Sequence, residues 1–149
     1  VNREIRFELN IEASAAVVWE VVSDLDRYRE WNPFVVRASS SCEVGAPIMM
    51  KVQMFRGFAQ AQTETITEFT PPRTISWGLV GRGRWALSSR RCQLVTPNGQ
   101  LRSRYLSEFK LSGGFAPVVM AVLGGRLEAG FCAMSAAVKR RAEELQRLV

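Results

Sequence analysis

Residues 127–149 read LEAGFCAMSAAVKRRAEELQRLV. Leu127, Phe131, Met134, Val138, Ala142, Leu145 and Val149 recur at three- and four-residue steps, which puts them on one face of a helix. Glu128, Lys139, Arg140, Glu143, Glu144 and Arg147 occupy the rest of the surface. Such a helix must lay its apolar stripe on another layer of structure. The helical period reaches back to Phe115 and opens near Pro117, a residue suited to a first turn. Gly124-Gly125 is expected to bend or break the helix.

The preceding chain supplies the layer. Ile5, Phe7, Leu9 and Ile11 alternate with Glu4, Arg6, Glu8 and Asn10, the pattern of a half-buried strand. Ser14 is placed to cap a helix over residues 15–23, with Val17, Val18, Val21 and Val22 forming its apolar side around Trp19. Residues 24–31 read as a second short helix, stopped by Pro33 because a residue before proline avoids the helical region. Six further strands fit residues 34–42, 47–55, 58–70, 74–80, 84–96 and 100–112, punctuated by glycine and proline turns. Asn98-Gly99 is the strongest hairpin signal. With connections this short the strands are antiparallel neighbours. The expected fold is α+β and a single domain over residues 1–149. A seven-stranded curved antiparallel sheet wraps around the long C-terminal helix, and two short helices follow the first strand.

Composition narrows the chemistry. The chain has 149 residues, 47% hydrophobic and 23% charged, which is ordinary globular usage. It has no histidine, so histidine-based triads and the commonest metal ligand are excluded. Cys42, Cys92 and Cys132 are odd in number and far apart, giving neither a zinc pattern nor a disulfide framework. They read as packing thiols of a reducing compartment, so a cytoplasmic location is expected. No metal site or cofactor is expected. No uninterrupted apolar run of about 18 residues suggests a membrane span, and the opening VNREIRFELN lacks the apolar core of a secretion signal. Charge is uneven: residues 1–72 hold seven basic and ten acidic groups, and residues 73–149 thirteen and four. Arg73, Arg82, Arg84, Arg90, Arg91, Arg102 and Arg104 follow one another without an acidic residue between them. Such a run either forms a solvated sheet exterior or attracts an anionic partner.

The element order, with Ile11-x-Ala13-Ser14-x4-Trp19-x2-Val22-x-Asp24, Tyr28-x2-Trp31-Asn32-Pro33-Phe34, Pro71-Pro72-Arg73-x3-Trp77 and Gly113–Pro117 before Gly130-Phe131, resembles the START-like (SRPBCC) helix-grip superfamily. Within it the chain looks like the polyketide cyclase/dehydrase family. The resemblance covers nearly the whole chain, and Trp31-Asn32-Pro33-Phe34 is its most specific part. It implies a hydrophobic cavity between sheet and last helix. Members bind lipids, sterols, polyketides, quinones or plant hormones, and a minority are cyclases, dehydratases or hydroxylase components. Some relatives carry a histidine and a glutamate on the last strand. Here the same stretch reads Arg104-Tyr105-Leu106-Ser107-Glu108-Phe109, with Ser103, Tyr105, Ser107, Phe109 and Leu111 in the inward phase and Glu108 outward.

Strand phase selects the candidate ligand-binding residues. Met50, Val52 and Met54 share a face with Ile48; Trp77 lies with Ile75 and Leu79; Trp85 lies with Leu87, Ser89 and Arg91. Tyr105, Ser107 and Phe109 come from the last strand, and Leu127, Phe131 and Met134 from the helix. Ala59, Ala61, Thr63, Thr65 and Thr67 form the smaller-residue face of their strand and are expected inward, leaving volume beneath the helix; a bulge would reverse that phase. Either Arg90 or Arg91 points inward, and a buried arginine needs an anion. A ligand carboxylate could serve, or Glu20, or Glu64 and Glu68 if their strand is reversed. Tyr105 and Arg91 are the candidate catalytic groups, Tyr105 because a phenol can donate to a carbonyl. Three function classes fit, in this order. The first is a binding module for a small hydrophobic molecule such as a lipid, polyketide, quinone or aromatic acid. The second is a cyclase or dehydratase using Tyr105 and an inward arginine. The third binds an anionic surface, such as nucleic acid, an acidic protein or lipid headgroups, through the Arg73 to Arg104 region. Oligomeric state is not legible.

Overall fold

The structure, a computed structural model, describes residues 3–81, 83 and 85–149. Strand β1 (Arg3–Ile11) leads into α1 (Ala15–Ser23), a short 3-10 turn (Leu25–Arg27) and α2 (Tyr28–Trp31). Six strands follow: β2 (Val35–Ser39), β3 (Pro47–Phe55), β4 (Phe58–Thr70), β5 (Thr74–Gly78), β6 (Ser88–Pro97) and β7 (Ser103–Ser112). The chain closes with α3 (Ala116–Arg147). One seven-stranded antiparallel sheet has the order β1-β7-β6-β5-β4-β3-β2, and α3 lies across it. This is the expected helix grip.

Local chemistry sets the boundaries. The Ser14 hydroxyl accepts from the Val17 amide at 3.3 Å and caps α1. The Asn32 side-chain oxygen accepts from the Phe34 and Val35 amides at 2.9 Å each, so the corner after α2 is closed by a side chain and β2 starts at Val35.

Four expectations change. The sixth strand starts at Ser88, not at residue 84, because residues 85–87 form a turn in which the Ala86 and Leu87 amides donate to the Gly83 carbonyl; Arg82 and Arg84 lie outside the described residues. The fifth strand ends at Gly78, where any Cβ would collide with the Ser89 carbonyl of β6. Gly124-Gly125 neither breaks nor ends the last helix, which runs unbroken for 32 residues. The β4 face pointing inward is the opposite one. Ile48 and Met50 are buried, and their cross-strand partners are Glu64 and Gln62. Partners across a ladder share a face, so Gln62 and Glu64 turn in and Ala61 and Thr63 turn out. A bulge between Ile66 and Glu68 then keeps Ile66 opposite Trp77 on the inside and Glu68 opposite Ser76 on the outside.

Two smaller corrections concern single residues. Val149 lies beyond the helix and is exposed. Of the cysteines, all free, Cys92 is buried and Cys42 half-buried, but Cys132 is exposed on the outer side of α3. By length and composition α3 contains a window, of mean hydropathy 1.4, apolar enough to cross a membrane. Arg126 and Glu128 are the two charges within it. The same helix carries Leu127, Phe131, Met134 and Val138 into the core.

Candidate functional site

The concave face of the sheet and α3 do not meet everywhere. At the end reached by the β3–β4 hairpin, the β5–β6 loop and the β7–α3 turn, the helix stands off the sheet and leaves a cavity of ≈ 240 Å³. Its wall is mostly apolar: Met50, Val52 and Met54 from β3, Trp77 from β5, Phe109 from β7, and Val119, Leu123, Leu127 and Phe131 from α3. Four polar side chains interrupt it, Gln62, Glu64, Ser89 and Arg91.

Arg91 is 2% exposed and is the most unusual of them. Its position follows from β6 pairing: Trp77 faces inward and is its cross-strand partner, so Arg91 turns in and Arg90 turns out to Glu68 at 3.6 Å. One guanidinium nitrogen, Nη1, donates to the Ser107 hydroxyl at 2.7 Å and to the Cys92 and Glu108 carbonyls at 3.3 and 3.4 Å. The other, Nη2, reaches the Tyr105 oxygen at 3.4 Å and the Met134 sulfur at 3.5 Å. The Phe131 ring packs against the guanidinium, 4.7 Å from its carbon. Nε has no partner. Among the described residues no carboxylate forms an ion pair with Arg91. All its partners are neutral, so a buried positive charge stands at the cavity wall without a counter-ion.

Glu64 lines the same cavity from the facing side of the sheet. Burial pushes its carboxyl up to about 7. Glu64 therefore keeps its proton to higher pH than an exposed carboxyl does.

Behind Arg91 lies a fully buried polar chain. The Tyr105 hydroxyl donates to the Gln93 side-chain oxygen at 2.6 Å, the Gln93 nitrogen donates to the Tyr28 oxygen at 3.2 Å, and Tyr28 donates to the Val22 carbonyl. Burial drives the Tyr28 phenol far up, so it stays protonated. Gln93 fixes the direction of the whole chain because an amide has distinct donor and acceptor ends.

Of the residues selected from the sequence, Met50, Val52, Met54, Trp77, Phe109, Leu127 and Phe131 are brought together at the wall, with Arg91 among them. Tyr105, Ser107 and Met134 are not on the wall; they sit underneath and hold Arg91. The Tyr105 hydroxyl gives its proton to Gln93 and accepts from Arg91. Trp85 is 80% exposed and outside the cavity, because the strand to which its phase was assigned has not begun. Val119 and Leu123 were missed although they continue the helical spacing of Leu127 and Phe131 backwards in steps of four. Glu64 was legible only as an alternative. Of the described arginines in the Arg73 to Arg104 run, Arg90, Arg102 and Arg104 pair with Glu68, Glu12 and Glu8, and Arg91 is internal.

Among the described residues no three of cysteine, aspartate and glutamate come together as metal ligands would.

A curved seven-stranded sheet gripping a helix over an apolar cavity is the START-like helix-grip fold. More narrowly, residues 3–149 match the family described as polyketide cyclase/dehydrase and lipid transport, and the chain belongs to that family. No curated protein sequence matches it significantly. Solved structures with the same fold include the Zhui aromatase/cyclase of a Streptomyces species, 16% identical, with a TM-score of 0.72 over 99% of this chain and 94% of that one. Norcoclaurine synthase of Thalictrum flavum in complex with dopamine and hydroxybenzaldehyde is 18% identical, with a TM-score of 0.71 over 97% and 88%. A START superfamily protein of Mycobacterium smegmatis is 17% identical, with a TM-score of 0.70 over 95% and 98%.

Proposed function

We propose that this protein binds a small hydrophobic molecule carrying one anionic or strongly hydrogen-bond-accepting end, with that end at Arg91. The observation that carries the reading is a buried guanidinium on the cavity wall with neutral partners. An uncompensated internal charge is costly, and a ligand oxygen would offset it. The apolar remainder of the wall suits a ring or a short chain, and the methionines let the pocket adapt. The ligand class includes aromatic acids, short lipids and polyketide-like compounds. A structural neighbour bound to dopamine and hydroxybenzaldehyde supports small aromatic molecules.

Native mass spectrometry of protein purified from cells, with extraction of anything carried along, tests this directly. In parallel, a fluorescent naphthalene sulfonate is titrated into the wild type, Arg91→Met and Leu123→Trp. The reading expects saturable binding, weakened tenfold or more by Arg91→Met and removed by the bulkier side chain. Equal binding to all three would overturn it.

Glu64 favours a second reading, an enzyme of the cyclase or dehydratase type. Arg91 would hold a substrate carbonyl oxygen while Glu64 moves a proton at the neighbouring carbon. Turnover lost in Glu64→Gln with binding retained would establish it; turnover retained in that variant would sink it.

A further inference from the structure

The cavity end of the molecule differs from the opposite end in its surface. Chain direction puts the β3–β4 hairpin, the β5–β6 loop and the first turns of α3 at one pole. Phe55 and Phe58 stand exposed on the hairpin, Val80 and Trp85 on the loop, and Phe115 and Val122 on the helix. The three segments are physically joined. The Phe115 amide donates to the Ala86 carbonyl at 2.8 Å, next to Trp85. Arg126 reaches the Met54 carbonyl at 3.5 Å and lies 4.8 Å over the Phe55 ring. Met54, Leu79, Leu87, Val119 and Leu123 belong to the same segments and line the cavity, so the exposed rings surround its mouth.

This pole contradicts the usual economy of a surface. Large aromatic side chains scattered singly need no explanation, but a contiguous rim of them does. Burial in the fold does not account for it: only 28% of the most apolar window of α3 is buried. The charges of the three segments have one sign. Residues 55–58, 79–87 and 113–126 contain no aspartate or glutamate, while Arg56 and Arg126 are exposed there. Exposed tryptophan and phenylalanine beside two arginines that have no carboxylate partner among the described residues match the interface of a membrane with anionic headgroups, where rings enter the headgroup layer and guanidinium groups pair with phosphates.

We propose that the mouth end docks on an anionic phospholipid surface, seating Trp85, Phe58, Phe115 and Val122 in the headgroup layer. The cavity would then open onto the bilayer, the phase in which an apolar ligand is dissolved. The docking does not depend on which ligand fills the cavity.

The test is co-sedimentation of the full chain with vesicles of phosphatidylcholine alone and of phosphatidylcholine with phosphatidylserine, at low and high salt. The expected result is binding to the anionic vesicles, weakened by salt. Trp85→Ser with Phe58→Ser should reduce it tenfold or more. Arg56→Gln and Arg126→Gln should each reduce it roughly fivefold on anionic vesicles only. Tryptophan emission should shift to the blue on vesicle binding and fail to shift in Trp85→Phe, because Trp85 is the exposed one of four tryptophans. All these positions are exposed, so thermal melts should be unchanged and loss of binding is not loss of fold. No binding to anionic vesicles at low salt would overturn the proposal. So would undiminished binding in the Trp85/Phe58 variant, or concentration-dependent dimers that Val122→Asp dissolves in a protein that ignores vesicles. Capture by an acidic protein without vesicle binding would overturn it as well.

Discussion

The two halves of α3 lie against the same sheet but are packed differently. From Leu127 onward, Met134, Val138 and Ala142 are fully buried, and α1 closes over them. Before Leu127, Val119 and Leu123 are only partly covered and face a void, while Val118 and Val122 look outward. The difference shows how one helix serves two purposes. Its C-terminal half holds the fold, and its N-terminal half is left standing off the sheet to roof a site. The polar groups follow the same division. The satisfied chain of Tyr28, Gln93 and Tyr105 belongs to the packed half, and the unsatisfied Arg91 Nε stands at the boundary.

The largest expected effect breaks the comparison if it fails. Met134→Ala, in the packed half, should cost about 2–5 kcal/mol, because it leaves a cavity in a dense core. Leu123→Ala, in the roof, should cost less, about 1 kcal/mol, because that side chain is only partly buried and borders the cavity. Denaturant titration measures both, and equal losses would mean that the roof is packed after all.

Next comes Glu64. Its carboxyl holds its proton more tightly in the folded protein than in the unfolded chain, about 7 against 4.5. Stability should therefore be undiminished below about pH 4.5, fall as pH rises toward 7, and stay low above it, by roughly 3 kcal/mol in all. Glu64→Gln should remove that slope in melts collected across the range, gaining stability at high pH and none at low pH.

Gly130 sharpens the boundary between the halves. A Cβ there would run into the Phe34 ring, which stacks edge-on against Phe131 at 5.0 Å. Gly130→Ala should cost about 1–3 kcal/mol and displace Phe34, itself part of the cavity wall. Probe affinity should fall with it. The smallest effect is Trp85→Ser, within about 0.5 kcal/mol in stability, since the ring is exposed. A larger loss would mean that Trp85 packs in the fold and is not free to dock.

Fold and site were legible to different depths. The stripe from Leu127 to Ala142, the cap at Ser14, the inward phase of Ser103, Tyr105 and Ser107, and the antiparallel succession of β2 to β7 could all be read from local pattern. Each depends on a period or on a side chain bonding its own neighbours, and these are properties of a short stretch of chain. The orientation of β4 could not be read that way. Its Ala/Thr face looked the more suitable interior, yet register against Ile48 and Met50 turns Gln62 and Glu64 in. Arg91 rather than Arg90 faces the cavity because Trp77 lies opposite it. The void itself belongs to neither strand nor helix: it is the gap left where α3 stands off the sheet. Sequence alone determined which elements form and which faces are apolar, because those follow from residue spacing. Tertiary structure alone decided which polar groups meet inside and how much space remains, because register and the distance between layers are set by contacts between distant parts of the chain.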